Sequence, residues 1–165
     1  MRSKNTEQSS VQRAFNYALR LLAGRDYSAA RIRKKLIERE FTAEDADSAV
    51  KRLEEDGWVS DLRFAERFAE HSVSSGRFYG VRLRQEMRRR ELSPEIVDRT
   101  LQHIYENHDQ SAAIRDILKK RYSNFSFKTS DEKEKRRILG YLQRRGYGFS
   151  SIMQVLRESV SNGDS

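Results

Sequence analysis

The sequence predicts an all-α protein built from three tandem three-helix units, and three observations carry that reading. Apolar residues recur at helical spacing nearly throughout the 165 residues. Turn formers are scarce, with eight Gly and one Pro, whereas a β-sandwich or barrel needs a turn every ~8–12 residues. The third observation is an internal repeat. Ile32, Leu36, Phe41, Ala46 and Val50 stand 51 residues before Leu83, Met87, Leu92, Val97 and Leu101. They stand 106 residues before Ile138, Leu142, Tyr147, Ile152 and Leu156. Every position is apolar or aromatic in all three copies. The junctions Arg39-Glu40-Phe41-Thr42, Arg90-Glu91-Leu92-Ser93 and Arg145-Gly146-Tyr147-Gly148 also place an Arg at the same offset.

Helices are expected near 11–24, 28–40, 42–56, 61–75, 80–91, 93–107, 109–122, 131–145 and 149–160. Phe15, Leu19 and Leu22 set the period of the first. Ile32 with Leu36 sets the second, and Ala46, Val50 and Leu53 the third. Phe64 with Phe68, Leu83 with Met87, and Val97 with Leu101 and Ile104 continue the pattern. Ile114 with Leu118, Ile138 with Leu142, and Ile152 with Leu156 complete it. Thr42 ahead of Glu44 and Asp45 is a helix start, with acids favoured by the N-terminal dipole. Ser93-Pro94 puts a capping hydroxyl before a Pro whose missing N–H costs nothing at the first helical position. Thr129 with Glu132 fits a capping box. The units are then 11–59, 60–108 and 109–160, with frayed tails at 1–10 and 161–165 and a longer loop over 123–130. Each is small, so neighbours lean on one another as in a helical solenoid.

Charged residues make up 35% of the chain, the net charge is +8 and the pI is about 9.9. Such an excess favours a polyanionic partner, nucleic acid first. Arg outnumbers Lys 24 to 9, which leans toward bidentate recognition of phosphate or carboxylate. The absence of Cys excludes disulfides, thiolate metal sites and a Cys nucleophile. No apolar run approaches a membrane span, and Met1–Ser10 is polar, so a soluble cytoplasmic protein is expected. Catalysis finds no support. His71, His103 and His108 lack ligand spacing, and the acid pairs read as helix-end charges. No cofactor or metal is expected.

The densest feature is the fifth helix. Between Arg77 and Arg90 there are six Arg and one acid, Glu86. Leu83 and Met87 share the core-facing stripe. Arg82 and Arg89 lie on one flank, Arg84 and Arg88 on the other. Like charges four apart weaken a helix, so the cluster is not there to stabilise it. Arg82, Arg84, Arg88 and Arg89 are the leading candidates for contact with DNA phosphates or acidic protein groups. Arg77, Lys34, Lys35, Arg144 and Arg145 form a second tier on matching helices. Tyr79, in the Ser75–Gly80 turn, is a candidate for stacking on a base or for the core. Leu83, Met87, Phe64 and Phe68 are assigned to the core.

Gly57-Trp58-Val59-Ser60-Asp61-Leu62-Arg63-Phe64-Ala65 resembles the aromatic-Leu-Asp-Asp-x-Arg-Phe-Ala signature of the RecX family of recombinase regulators. Tyr79-Gly80-Val81-Arg82-Leu83-Arg84-Gln85-Glu86-Met87 resembles that family's second-repeat motif. Arg25–Ser28 with Arg33–Leu36 resembles the first, and Arg144–Tyr147 the third. The likeness runs from about 14 to 158. It departs at Arg31, where the family often has an acid, at Trp58 for Tyr or Phe, at Ser60 for an acid, and near Val81. The resemblance implies three tandem three-helix repeats in a curved, elongated body. It also implies a non-enzymatic modulator of the RecA recombinase that binds the RecA–single-stranded DNA filament and blocks its growth. ATP hydrolysis, strand exchange and coprotease activity of RecA fall as a result. The partners implied are RecA, single-stranded DNA and, as an open question, double-stranded DNA, with the chain acting as a monomer.

Two other classes compete. A plain DNA-binding protein could use helices 80–91 and 93–107 as a helix-turn-helix. The second helix, however, carries only Arg99 as a basic residue, which counts against base readout. A pure protein-interaction solenoid would carry its charge incidentally, and its DNA affinity would lack a steep salt dependence.

Overall fold

In a computed structural model, residues 3–158 are described, with side chains from Ser10 onward. Nine α-helices and no strand occur among them. They are α1 (Ser3–Gly24), α2 (Ala29–Glu38), α3 (Ala43–Glu55), α4 (Asp61–Ser74) and α5 (Gly80–Arg89). After them come α6 (Pro94–Asn107), α7 (Gln110–Arg121), α8 (Glu132–Arg144) and α9 (Phe149–Glu158). α1 begins at Ser3, ahead of the start expected at 11, because the sequence Ser3–Ser10 is polar and carries no apolar period to mark a helix. The tail expected at 161–165 lies outside the described residues.

The helix starts follow local hydrogen bonding. Ser28 Oγ accepts from the Arg31 N–H at 3.2 Å, Thr42 Oγ1 from Asp45 at 3.1 Å, and Ser93 Oγ from Ile96 at 3.4 Å. The cap of α8 corrects the Thr129–Glu132 box. Asp131 caps this helix, accepting from the Glu134 N–H at 2.7 Å. A carboxylate beside the first free N–H groups outcompetes a hydroxyl two residues upstream.

The helix ends show the repeat in backbone geometry. Glu40, Glu91 and Gly146, spaced by 51 and 106 residues from the first, have φ of 68°, 60° and 99°. Each is the left-handed residue that closes a helix. After α2, the Glu40 N–H donates to Ile37 O at 2.9 Å and the Phe41 N–H to Leu36 O at 3.1 Å. After α8, Gly146 donates to Gln143 O at 3.0 Å and Tyr147 to Leu142 O at 3.2 Å. α5 spans the residues that α2 spans, moved on by 51.

The chain divides into two compact units, Met1–Glu66 with Arg88–Ile96, and Arg67–Met87 with Val97–Ser165. In the first, α1 packs on α2 and α3 around Ala14, Phe15, Ala18, Ile32, Leu36, Ala49 and Leu53. In the second, Leu83, Met87, Leu101, Ile104, Ile114, Ile138, Leu142, Ile152 and Leu156 are fully buried. Phe64 and Phe68, expected in the core, are only half-buried. Their small neighbours Ala65 and Ala69 take the buried positions on α4 instead.

Candidate functional site

The basic helix α5 is held from below and at its start. Leu83 and Met87 are wholly buried and fix which way its cations face. At its N-terminus the Tyr79 N–H donates to Arg145 O at 2.8 Å. The Arg145 guanidinium returns bonds to the carbonyls of Gly76 and Arg77 at 3.1 and 3.2 Å. Backbones approach so closely here that a Cβ on Gly146 would lie 2.0 Å from Tyr79 O, and one on Gly80 2.8 Å from Gly146 O. Glycine is therefore required at both positions, and the Gly76–Gly80 pair is accounted for by packing.

Tyr79 is corrected from candidate base-stacker to core. It is buried, its ring stacks on Tyr147 at 5.2 Å with an interplanar angle of 9°, and Tyr105 lies at 5.8 Å. No face is left for a base. Burial pushes the Tyr79 phenol up and the Tyr147 phenol up to about 12. Arg145 is likewise a tether, half-buried over the Tyr141 ring at 4.3 Å.

The remaining cations differ in how far the protein itself uses them. Arg82 pairs with the buried carboxylate of Glu86 at 2.8 Å and lies 5.6 Å from the Phe78 ring centre. Arg84 is ion-paired with Asp98. Arg77 stands over Phe78 at 5.2 Å. Arg89 is exposed. Arg88 is exposed and makes no ion pair among the described residues. Arg144, on α8, shares with Arg82 an open groove of about 380 Å³, floored by Val81, Gln85, Gln143 and Gly146. The structure thus brings Arg82 and Arg144 together. In the first unit, Lys34 lies 3.9 Å from Glu91, which also takes Arg31 at 3.2 Å, and Lys35 stands over Tyr27 at 5.4 Å.

Sequence reasoning missed one feature. Arg33 pairs with Asp47 as Arg84 pairs with Asp98, and both pairs sit at the same repeat positions. The third copy has Leu139 and Met153 there. The signal is the 14-residue Arg–Asp spacing repeated at an offset of 51, which apolar periodicity does not register.

Residues 14–53 match the family model for the first three-helix domain of RecX, and residues 108–156 that for its third. A regulatory protein RecX of Trichlorobacter lovleyi is 42% identical over 86% of this chain and 92% of its own length. That of Syntrophotalea carbinolica is 31% identical over 88% and 95%. The chain belongs to the RecX family. Its fold is also that of a RecX crystal structure from Lactobacillus salivarius, with a TM-score of 0.73 over 92% of this chain and 97% of that one, at 14% identity.

The RecX signature around Asp61 is a set of ties within the first unit. Asp61 Oδ1 accepts from the Ala29 N–H at 2.8 Å, joining the start of α2 to that of α4. Burial raises its carboxyl above the usual range, and this bond works in the opposite direction. Ser60 Oγ caps α4 by accepting from the Arg63 N–H at 3.2 Å, and Arg63 donates to Gly57 O at 2.8 Å. These bonds join the starts of α2 and α4 and tie Arg63 to the turn before α4. Among the described residues no His, Asp and Glu group could hold a metal ion, and no helix is long and apolar enough to cross a membrane. His108 and His103 instead face Glu70, at 2.8 and 3.7 Å.

Proposed function

We propose that this chain regulates the RecA recombinase without catalysing a reaction. It binds the RecA–single-stranded DNA filament and blocks its extension, so that RecA's ATP hydrolysis and strand exchange fall. The observation that supports this most is the basic helix α5 in a RecX-family chain, whose cations stand on a face anchored by Leu83 and Met87. Arg88 is the leading contact, because nothing in the described protein neutralises it. Arg82 and Arg144 line one open groove of about 380 Å³, and their guanidinium groups suit a phosphate or an acidic side chain. Arg89 belongs to the same helix, and Arg84 contributes less because Asp98 already shares its charge. Arg77, Lys34 and Lys35 are secondary contacts. In this reading the three repeats are 11–59, 60–108 and 109–160, and the chain works as a cytoplasmic monomer.

Sequence-specific DNA binding is the weaker reading. α6, which would have to be the recognition helix, carries Arg99 as its lone basic residue besides His103.

The test is RecA ATP hydrolysis on single-stranded DNA, titrated with this protein, while binding to the same DNA without RecA is followed in parallel. Inhibition far below the amount that coats the DNA is the expected result. Inhibition that appears only at coating amounts would reduce the mechanism to competition for DNA.

A further inference from the structure

A second basic site lies in the first unit, lined by residues that are not among the binding candidates named above. α1 puts Arg13, Tyr17 and Arg20 four and seven residues apart, one and two turns along one face. Arg39, which caps the end of α2, lays its guanidinium over the Tyr17 ring, 5.4 Å from the centre. The Phe41 ring follows at 6.4 Å from Tyr17, tilted by 43°. With Asn16 these five residues line an open groove of about 400 Å³.

Half of the lining is guanidinium, and no acidic side chain lines the groove. Arg13 and Arg20 are exposed and form no ion pair among the described residues. In the same unit Arg33 is matched to Asp47 and Arg52 to Asp56. Gathering like charges without a counter-charge weakens a fold, so stability does not account for the arrangement. Guanidinium forks suit phosphate oxygens, and a half-buried aromatic floor offers flat surface to a base. Arg13 and Arg20 are spread over about 10 Å of helix. That span suits successive phosphates of a strand better than one isolated anion.

We propose that the Arg13–Tyr17–Arg20–Arg39 groove binds single-stranded DNA, with Arg13 and Arg20 on consecutive backbone phosphates and a base against the Tyr17–Phe41 floor. The site is additional to α5 and needs no recombinase. Its failure would therefore leave the RecA reading standing, and the reverse also holds. An acidic peptide is the rival occupant, but it would make no use of the aromatic floor.

The test uses the full chain, a labelled oligo-dT and a salt series, with Arg13→Gln/Arg20→Gln compared with the parent. Removing two phosphate contacts should lower affinity at least about tenfold and reduce the slope of log affinity against log salt by about 1.4. The melting temperature should not fall. Should the double variant melt early, Arg20→Gln alone carries the test, with the slope reduced by about 0.7. Unchanged affinity and slope in a folded variant would overturn the proposal. So would loss of poly-glutamate binding with DNA binding intact, which would assign the groove to an acidic protein segment.

Discussion

Helices α2 and α5 are the same element 51 residues apart, and their differences separate what builds the repeat from what uses it. Both bury an aliphatic pair, Ile32 and Leu36 in one, Leu83 and Met87 in the other. Both close on a left-handed Glu, Glu40 and Glu91. Both carry an Arg paired with an Asp on the next helix, Arg33 with Asp47 and Arg84 with Asp98. Arg31 and Arg82 also correspond. Then the helices part. Where α2 has Ile37 and Glu38, α5 has Arg88 and Arg89. A feature that recurs is explained by the repeat. Arg88, facing outward without an ion pair where its counterpart is an exposed Ile, is not explained that way.

The largest effects should come from the shared core. Leu36→Ala and Leu83→Ala are each expected to cost about 2–5 kcal/mol in urea unfolding. Both side chains are wholly enclosed. A near-neutral result at one site alone would break the equivalence.

The junctions sharpen the comparison next. Position 147 is Tyr in the third copy, where the first two have Phe41 and Leu92. Its hydroxyl is buried with no hydrogen-bond partner among the described residues, and its pKa is pushed up to about 12. An acid whose folded pKa is raised favours folding while neutral. That contribution is whole below about pH 10 and is lost as pH climbs toward 12, by up to about 3 kcal/mol. Tyr147→Phe should flatten the alkaline loss of stability in a pH series of thermal melts. It should leave neutral-pH stability equal or slightly higher. An unchanged alkaline slope would show that the phenol is not the group responsible.

Glu40→Gly is a smaller probe. Releasing a non-glycine residue from φ of 68° should stabilise by about 1 kcal/mol. Glu91→Gly relieves the same strain but removes the partner of Arg31 and Lys34, so it should gain less. Equal gains would mean that those ion pairs contribute nothing. The smallest effect is expected at Arg84. Its charge is already shared with Asp98, so Arg84→Gln should change DNA affinity less than Arg88→Gln does.

The fold was legible because the repeat wrote it three times. Apolar spacing placed all nine described helices, and Thr42 and Ser93 marked the starts of α3 and α6, but the polar start of α1 and the Asp131 cap of α8 were not legible that way. The site was legible only as a cluster. Sequence alone could not tell Arg84 from Arg88, since the Asp that takes one and not the other sits on the next helix. In the sequence Tyr79 reads as either base-stacker or core, and Arg145 as a second-tier binder because it follows a basic helix that matches α5. The Tyr79 N–H instead donates to Arg145 O, 66 residues away in the chain, and the Arg145 guanidinium to the Gly76 and Arg77 carbonyls. The groove at Arg13 and Arg20 was invisible for a related reason. Two Arg seven apart on a long helix look like solvated surface until Arg39 and Phe41 close over Tyr17.

The most direct measurement is inhibition of RecA ATP hydrolysis on single-stranded DNA by the parent, Arg88→Gln and Arg84→Gln, with melting curves to show that each is folded. A lost charged contact of about 1.4 kcal/mol corresponds to tenfold. Arg88→Gln should therefore need about tenfold more protein for half-inhibition, and Arg84→Gln should stay close to the parent. Arg88→Gln inhibiting at the parent's ratio would contradict the claim that the cation outside the repeat's own bonding engages the filament.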